Sequence, residues 1–122
     1  MAGNIASAGF TAAYDPTVTA ADSSGVVILT NNGGVPFLFS GGPEDLVTLT
    51  YGTQYNQRPF VAAYVETDLT NVGLISVGYV LTPKNGGTTA SCTLQAVVIG
   101  SGLVQVGGII KIAYRVQAGV AG

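Results

Sequence analysis

The chain has 122 residues, 48% of them apolar and only 8% charged, with four basic and six acidic residues leaving a net charge of −2. That length makes one domain able to bury roughly two-thirds of the surface its unfolded form exposes. The charge balance offers no footprint for nucleic acid, no apolar run approaches the roughly 20 residues that span a bilayer, and neither nucleic acid nor membrane is expected as a partner.

Residues 1–24 are mostly Ala, Gly, Ser, Thr and Asn, with Phe10 and Tyr14 as the only large side chains and no helical or strand period. Leaving Ile5, Phe10 and Tyr14 in water is costly. An extended arm laid on a neighbouring subunit resolves that cost; a disordered terminus is the alternative. Asp15-Pro16 marks a kink within it. Residues 1–20 lack the basic start and continuous apolar segment of a signal peptide, so use without export is expected. The β-domain is expected over residues 25–122.

Val26–Thr30 is a β-branched strand stopped by Asn31-Asn32-Gly33-Gly34, where Asn and Gly tolerate positive φ. Val35–Ser40 follows, and the two are expected to form a hairpin. Leu46–Tyr51 alternates Val47, Leu49 and Tyr51 against Thr48 and Thr50, a Thr face that reads as solvated. Phe60–Glu66 is mostly apolar on both sides, Val61, Ala63 and Val65 against Phe60, Ala62, Tyr64 and Glu66. Such a strand is either central in a sheet or buried in a subunit contact. Val72–Thr82 places Ile75, Val77, Tyr79 and Leu81 together, turns through Pro83-Lys84-Asn85-Gly86-Gly87, and returns as Ala90–Ile99 with Cys92, Leu94, Ala96 and Val98 inward. These two strands are expected to pair antiparallel.

Leu103–Val106 is a short strand, and Gly107-Gly108 leads into Ile109–Gln117, the clearest alternation in the chain. Ile110, Ile112, Tyr114 and Val116 share one face; Ile109, Lys111, Ala113, Arg115 and Gln117 share the other. Lys111 and Arg115 stand about 13 Å apart by strand rise. They either solubilise an outer face or pair across a subunit interface with Glu66, Asp68 or a partner's acidic groups. Eight short β-runs joined by Gly, Pro and Asn, with no helical period, make the chain all-β. The expected fold is an antiparallel β-sandwich, jelly-roll or Greek-key-like, with an extended N-terminal arm.

An ordinary soluble protein is about 25% charged. The deficit here reflects either a surface made polar by uncharged Gly, Thr, Ser and Asn or a surface covered by other subunits, and the second is favoured. Catalysis is not expected. There is no His, the commonest general base and transition-metal ligand, and Ser and Thr lack a base to activate them. The single cysteine, Cys92, forms no intrachain disulfide and reads as a small buried hydrophobe. Glu44-Asp45 and Glu66 with Asp68 read as solvated carboxylates at strand ends and not as a Ca²⁺ site or a glycosidase pair. The Gly pairs precede strands or turns and cradle no phosphate. No catalytic residue, cofactor or metal is expected.

The order Val47-Thr48-Leu49-Thr50-Tyr51-Gly52-Thr53, then Gln57-Arg58-Pro59-Phe60-Val61, then a long hairpin, then Ile112-Ala113-Tyr114-Arg115-Val116 resembles the terminal β-sandwich modules of tailed-bacteriophage virion proteins. The resemblance covers residues 45–117. Such modules trimerise and serve as tail-fibre tips, receptor-binding knobs or capsid decoration proteins. What it implies is a noncatalytic virion structural protein, assembled in the host cytoplasm, that forms a homotrimer and decorates or cements the capsid by binding the major capsid protein. A short arm of small residues ahead of the module, in place of a long shaft, favours decoration. The subunit-interface candidates are Phe10, Tyr14, Phe60, Tyr64, Lys111 and Arg115. The alternative is a receptor-binding tip module of a tail fibre, for which Tyr51, Tyr55 and Arg58 are the candidates.

Overall fold

The structure is a computed structural model that describes residues 1, 3–6, 9–39, 43–65, 70–72, 79–98 and 102–118. Ten strands are present among them: β1 (Gly3–Ala6), β2 (Phe10–Tyr14), β3 (Ser24–Asn31), β4 (Phe37–Phe39), β5 (Glu44–Thr50), β6 (Phe60–Val65), β7 (Thr70–Val72), β8 (Tyr79–Pro83), β9 (Ser91–Val98) and β10 (Gly102–Gln117). They form two antiparallel sheets. One runs β1-β5-β9-β8; the other is built on β10, with β2, β3, β4, β6 and β7. Neighbours within each sheet are mostly distant in sequence, the crossed connectivity of Greek-key and jelly-roll sandwiches.

The 16-residue β10 is the spine of its sheet. Ile112 pairs with Val27 on one edge and Val65 on the other; Ile109 pairs with Thr30 and Thr70, and Val104 with Phe37 and Val72. Strands β3 and β4 therefore lie end to end along one edge of β10, and β6 and β7 along the other. This corrects the expected hairpin between Val26–Thr30 and Val35–Ser40. Residues 32–36 do not reverse the chain but make an excursion, after which it continues in the same direction along β10. Asn31, 1% exposed, anchors the excursion by donating from Nδ2 to the Val35 carbonyl and accepting from Gly33 N–H at Oδ1. The expected separate strands at 103–106 and 109–117 are one strand. Gly107 at φ 81 absorbs the irregularity between them, a backbone angle that glycine reaches without steric cost.

The core lies between the sheets. From the β10 sheet come Val27, Leu29, Ile110, Ile112, Tyr114 and Val116, and from the other Leu46, Val47, Leu49, Cys92, Leu94 and Ala96. The inner face expected for Ile109–Gln117 is the one observed. Burying each large aliphatic side chain contributes roughly 1.5–3 kcal/mol. A register shift between Asp45 and Val47 turns Leu46 inward beside Val47, so two consecutive residues are fully buried. Tyr114 faces Gly25 across the strand pair, and its hydroxyl donates to the Ala21 carbonyl at 2.8 Å. A Cβ at Gly25 would lie 2.5 Å from that hydroxyl, so glycine is required where the ring crosses.

The hairpin expected between Val72–Thr82 and Ala90–Ile99 is present over β8 and β9, with Leu81 opposite Ala96 and a 3-10 turn at Lys84–Gly86. Asn85, Gly86 and Gly87 all carry positive φ there. Val72, expected at the start of the same strand, belongs instead to β7 and pairs with Val104 of β10 in the other sheet. Ile75 and Val77 lie outside the described residues. The N-terminal arm is extended, and its strands are added to its own chain: β1 pairs with β5, and β2 with β3. Phe10, expected at a subunit contact, is instead 7% exposed in the core, with Tyr14 half-buried against it. Pairing within the chain satisfies the arm's backbone groups and buries Phe10 without the entropic cost of association.

Candidate functional site

Among the described residues strand β6 pairs with β10 alone, and it lies close to β8 of the other sheet. Its inward residues Val61, Ala63 and Val65 pack on the core, which leaves Phe60, Ala62 and Tyr64 on the outside. Phe60 is 68% and Tyr64 66% exposed, the exposed aromatic side chains among the described residues. Register places Phe60 beside Gln117, Ala62 beside Arg115 and Tyr64 beside Ala113, with Ser24 and Val26 of β3 next in the same rows. The loop after β2 brings Val18 over this face, 42% exposed. Val18, Val26, Ala62, Tyr64, Ala113 and Arg115 line a hollow of about 470 Å³, open to solvent. Over Phe60–Val65 burial of both faces within the chain, expected if the strand were central, does not hold, because Phe60 and Tyr64 are exposed; the subunit contact is the alternative taken up below.

The two cations of β10 differ in their surroundings. Arg115 is exposed at the rim of the hollow and has no ion pair among the described residues. Lys111 is half-buried near Asp15. Thr17 donates to Asp15 from its hydroxyl at 2.7 Å and its backbone N–H at 2.9 Å; these bonds first, and the Lys111 charge after them, hold the Asp15 carboxyl below its ordinary value. Glu66 and Asp68, expected as partners for these cations, lie outside the described residues.

Tyr51, Tyr55 and Arg58 occupy one loop but not one surface. Tyr51 is 4% exposed, and its ring meets Tyr55 edge to face with centroids 4.9 Å apart. Its hydroxyl is buried without a hydrogen bond among the described residues, and burial pushes its ionisation up strongly. Tyr51 is thus removed as a receptor-facing candidate, because the alternation that placed it beside Val47 and Leu49 also carries it into the core. Tyr55 is half-buried and its phenol is raised chiefly by burial, then by Asp22. Arg58 is exposed and lies over the 84–86 turn, its Nη1 donating to the Asn85 carbonyl at 3.5 Å.

Asp22, which no sequence pattern singled out, ties three segments together. It accepts from Gly52 N–H at 2.8 Å and Thr53 N–H at 3.2 Å, and pairs with the Met1 amine at 2.8 Å. The Gly52 bond is the first cause of its lowered pKa, followed by the amine. Single acidic residues in loops carry no periodic signal, so only the tertiary contacts reveal this one.

Chemistry remains sparse. Asp45 is spent on Gln95 Nε2 at 2.7 Å and Lys84 Nζ at 3.2 Å, and these bonds lower its pKa in that order. Cys92 is buried, its thiol pushed up to about 11 by desolvation, which makes it a poor nucleophile at neutral pH. Among the described residues no three His, Cys, Asp or Glu side chains cluster as a metal site, and no helix is long and apolar enough to cross a membrane. Compared with protein-family models, with curated proteins and with solved structures, the chain finds no match in any of the three.

Proposed function

We propose that this chain is a noncatalytic structural subunit whose outer β10-sheet face is buried in an assembly. The setting is the one its sequence resembles: a homotrimer that decorates or cements the capsid of a tailed phage by binding the major capsid protein. The observation that carries the assembly role is the exposed pair Phe60 and Tyr64 flanking Ala62 on β6, a strand without charge. An apolar patch rimmed by polar residues is the usual mark of a protein contact, and aromatic residues with Arg are enriched where contacts carry most energy. Arg115, beside Ala62 and exposed, supplies the charge that would orient a partner. Low overall charge follows if this face is covered in the particle.

The test is the copy number of the chain in purified particles, joined to sedimentation of the isolated protein. Hundreds of copies per particle and a trimer in solution support shell decoration. A monomer that fails to bind capsids overturns it. A few dozen copies or fewer would move the protein to the tail, where Tyr55 and Arg58 are the remaining receptor candidates.

A further inference from the structure

Two Asn-Gly pairs lie in turns of this chain, and their surroundings are opposite. At Asn32-Gly33 the reacting groups are held: Asn32 Nδ2 donates to Thr11 Oγ1 at 2.7 Å, Asn32 N–H donates to the Gly9 carbonyl, and Gly33 N–H donates to Asn31 Oδ1 at 3.0 Å. At Asn85-Gly86 the Asn85 side chain is exposed and makes no hydrogen bond among the described residues. Its backbone is left-handed, φ 52 and ψ 26, the only positive φ outside glycine in the described residues, a conformation of raised energy. The Arg58 guanidinium covers this peptide, donating to the Asn85 carbonyl at 3.5 Å, and a Cβ on Gly86 would come within 2.7 Å of Nη1. A cation on the carbonyl oxygen withdraws electron density from the amide and stabilises negative charge developing on its nitrogen.

We propose that Asn85 is a site of spontaneous deamidation, assisted by Arg58. The Gly86 backbone nitrogen gives its proton to water or hydroxide and attacks Asn85 Cγ, forming the new C–N bond of a five-membered imide. The Cγ–Nδ2 bond breaks, and the departing nitrogen takes up a proton and leaves as ammonia. One water then opens the imide at either carbonyl, giving Asp at position 85 or an isoaspartyl linkage through Cβ. No electron transfer is involved. Gly86 and Gly87 have no Cβ to oppose the backbone rotation that brings nitrogen and Cγ together. The product places a carboxylate beside Arg58 and turns a cationic loop end neutral, independently of any assembly role.

The experiment is incubation of the full chain at mildly alkaline pH, followed by proteolysis and mass measurement of the two peptides. The Asn85 peptide is expected to gain one mass unit, with Asn32 converting about thirtyfold more slowly, the factor for about 2 kcal/mol held by its two ground-state hydrogen bonds to Thr11 and Asn31. In denaturant the two rates are expected to converge. Arg58→Gln, at a solvent-exposed position, is expected to slow Asn85 and leave Asn32 unchanged. Conversion of Asn32 as fast as Asn85 in the folded protein overturns the site, as does an intact Asn85. An unchanged Asn85 rate in Arg58→Gln overturns the assistance.

Discussion

On the outside of the β9 sheet, Thr48, Thr50, Ser91, Thr93 and Gln95 stand half-buried among one another, with Thr48 and Thr93 sharing a hydroxyl hydrogen bond at 2.7 Å. Asp45, Gln95 and Lys84 continue that polar surface. On the outside of the β10 sheet Phe60, Ala62 and Tyr64 are exposed, with Arg115 as the exposed charge among them, while Val26 and Ala113 on the same face are almost fully covered. The low charge of the chain therefore has two physical origins. One sheet is solvated by hydroxyls and amides that satisfy one another, and the other exposes hydrocarbon that water does not satisfy. Uncharged polar residues account for one face; for the other, a cover of further subunits is the proposal made above.

The largest effect tests what the two faces share. Ile112→Ala removes a fully buried side chain from the common core and is expected to destabilise by about 2–5 kcal/mol, read from the denaturant midpoint. A cost below about 1 kcal/mol would mean that the sheets do not pack through this residue.

The faces separate at the next level. Changing Phe60 and Tyr64 together to Ser is expected to weaken association by tenfold or more, about 1.4 kcal/mol or above, while monomer stability moves little. Thr48→Ala on the opposite face is expected to leave association unchanged. If sedimentation equilibrium shows the Thr48 change to be as damaging as the aromatic pair, the assignment of the two faces is reversed.

Smaller effects come from the carboxylates. Asp22→Ala releases the Gly52 and Thr53 amides and is expected to cost about 1 kcal/mol. Asp22 and Asp45 both have folded pKa values lowered from the model-compound value. Their stabilisation is complete above the unfolded carboxylate value of about 3.9 and is lost as pH falls through the folded values. The acid limb of the stability curve should flatten in Asp22→Asn; an identical limb would show that the contacts contribute nothing. The smallest effect is at the Thr pair, where a double-mutant cycle on Thr48 and Thr93 is expected to give a coupling of roughly 0.2–1 kcal/mol.

Alternation was legible wherever a strand separates core from solvent. Ile110, Ile112, Tyr114 and Val116 are buried as their spacing requires, and so are Val47, Leu49, Cys92, Leu94 and Ala96. The β8–β9 turn was equally legible, because Pro83 through Gly87 carry the residues that positive φ demands. The candidate site was legible in part. Both faces of β6 were visibly apolar, but whether the second face lay inside the sheet or outside it depended on where β6 sits. Tyr51 illustrates the opposite error, since an aromatic beside a loop reads as exposed until its phase with Val47 and Leu49 is followed through.

The amino-acid sequence by itself determined which side chains travel together, because the period of a strand is a local property of the backbone. It determined the absence of His and the small number of charges. Only the tertiary structure decided lateral order: that β3 and β4 align along β10 instead of folding on each other, that β2 and β1 join different sheets, and that β6 pairs with β10. Backbone hydrogen bonds between strands are nearly blind to the residues they join. Lateral order is set by which arrangement buries the most apolar surface and satisfies the most backbone groups across the whole chain. Phe60 and Tyr64 lie outside because β6 turns Val61, Ala63 and Val65 to the core and alternation carries its other face away from it.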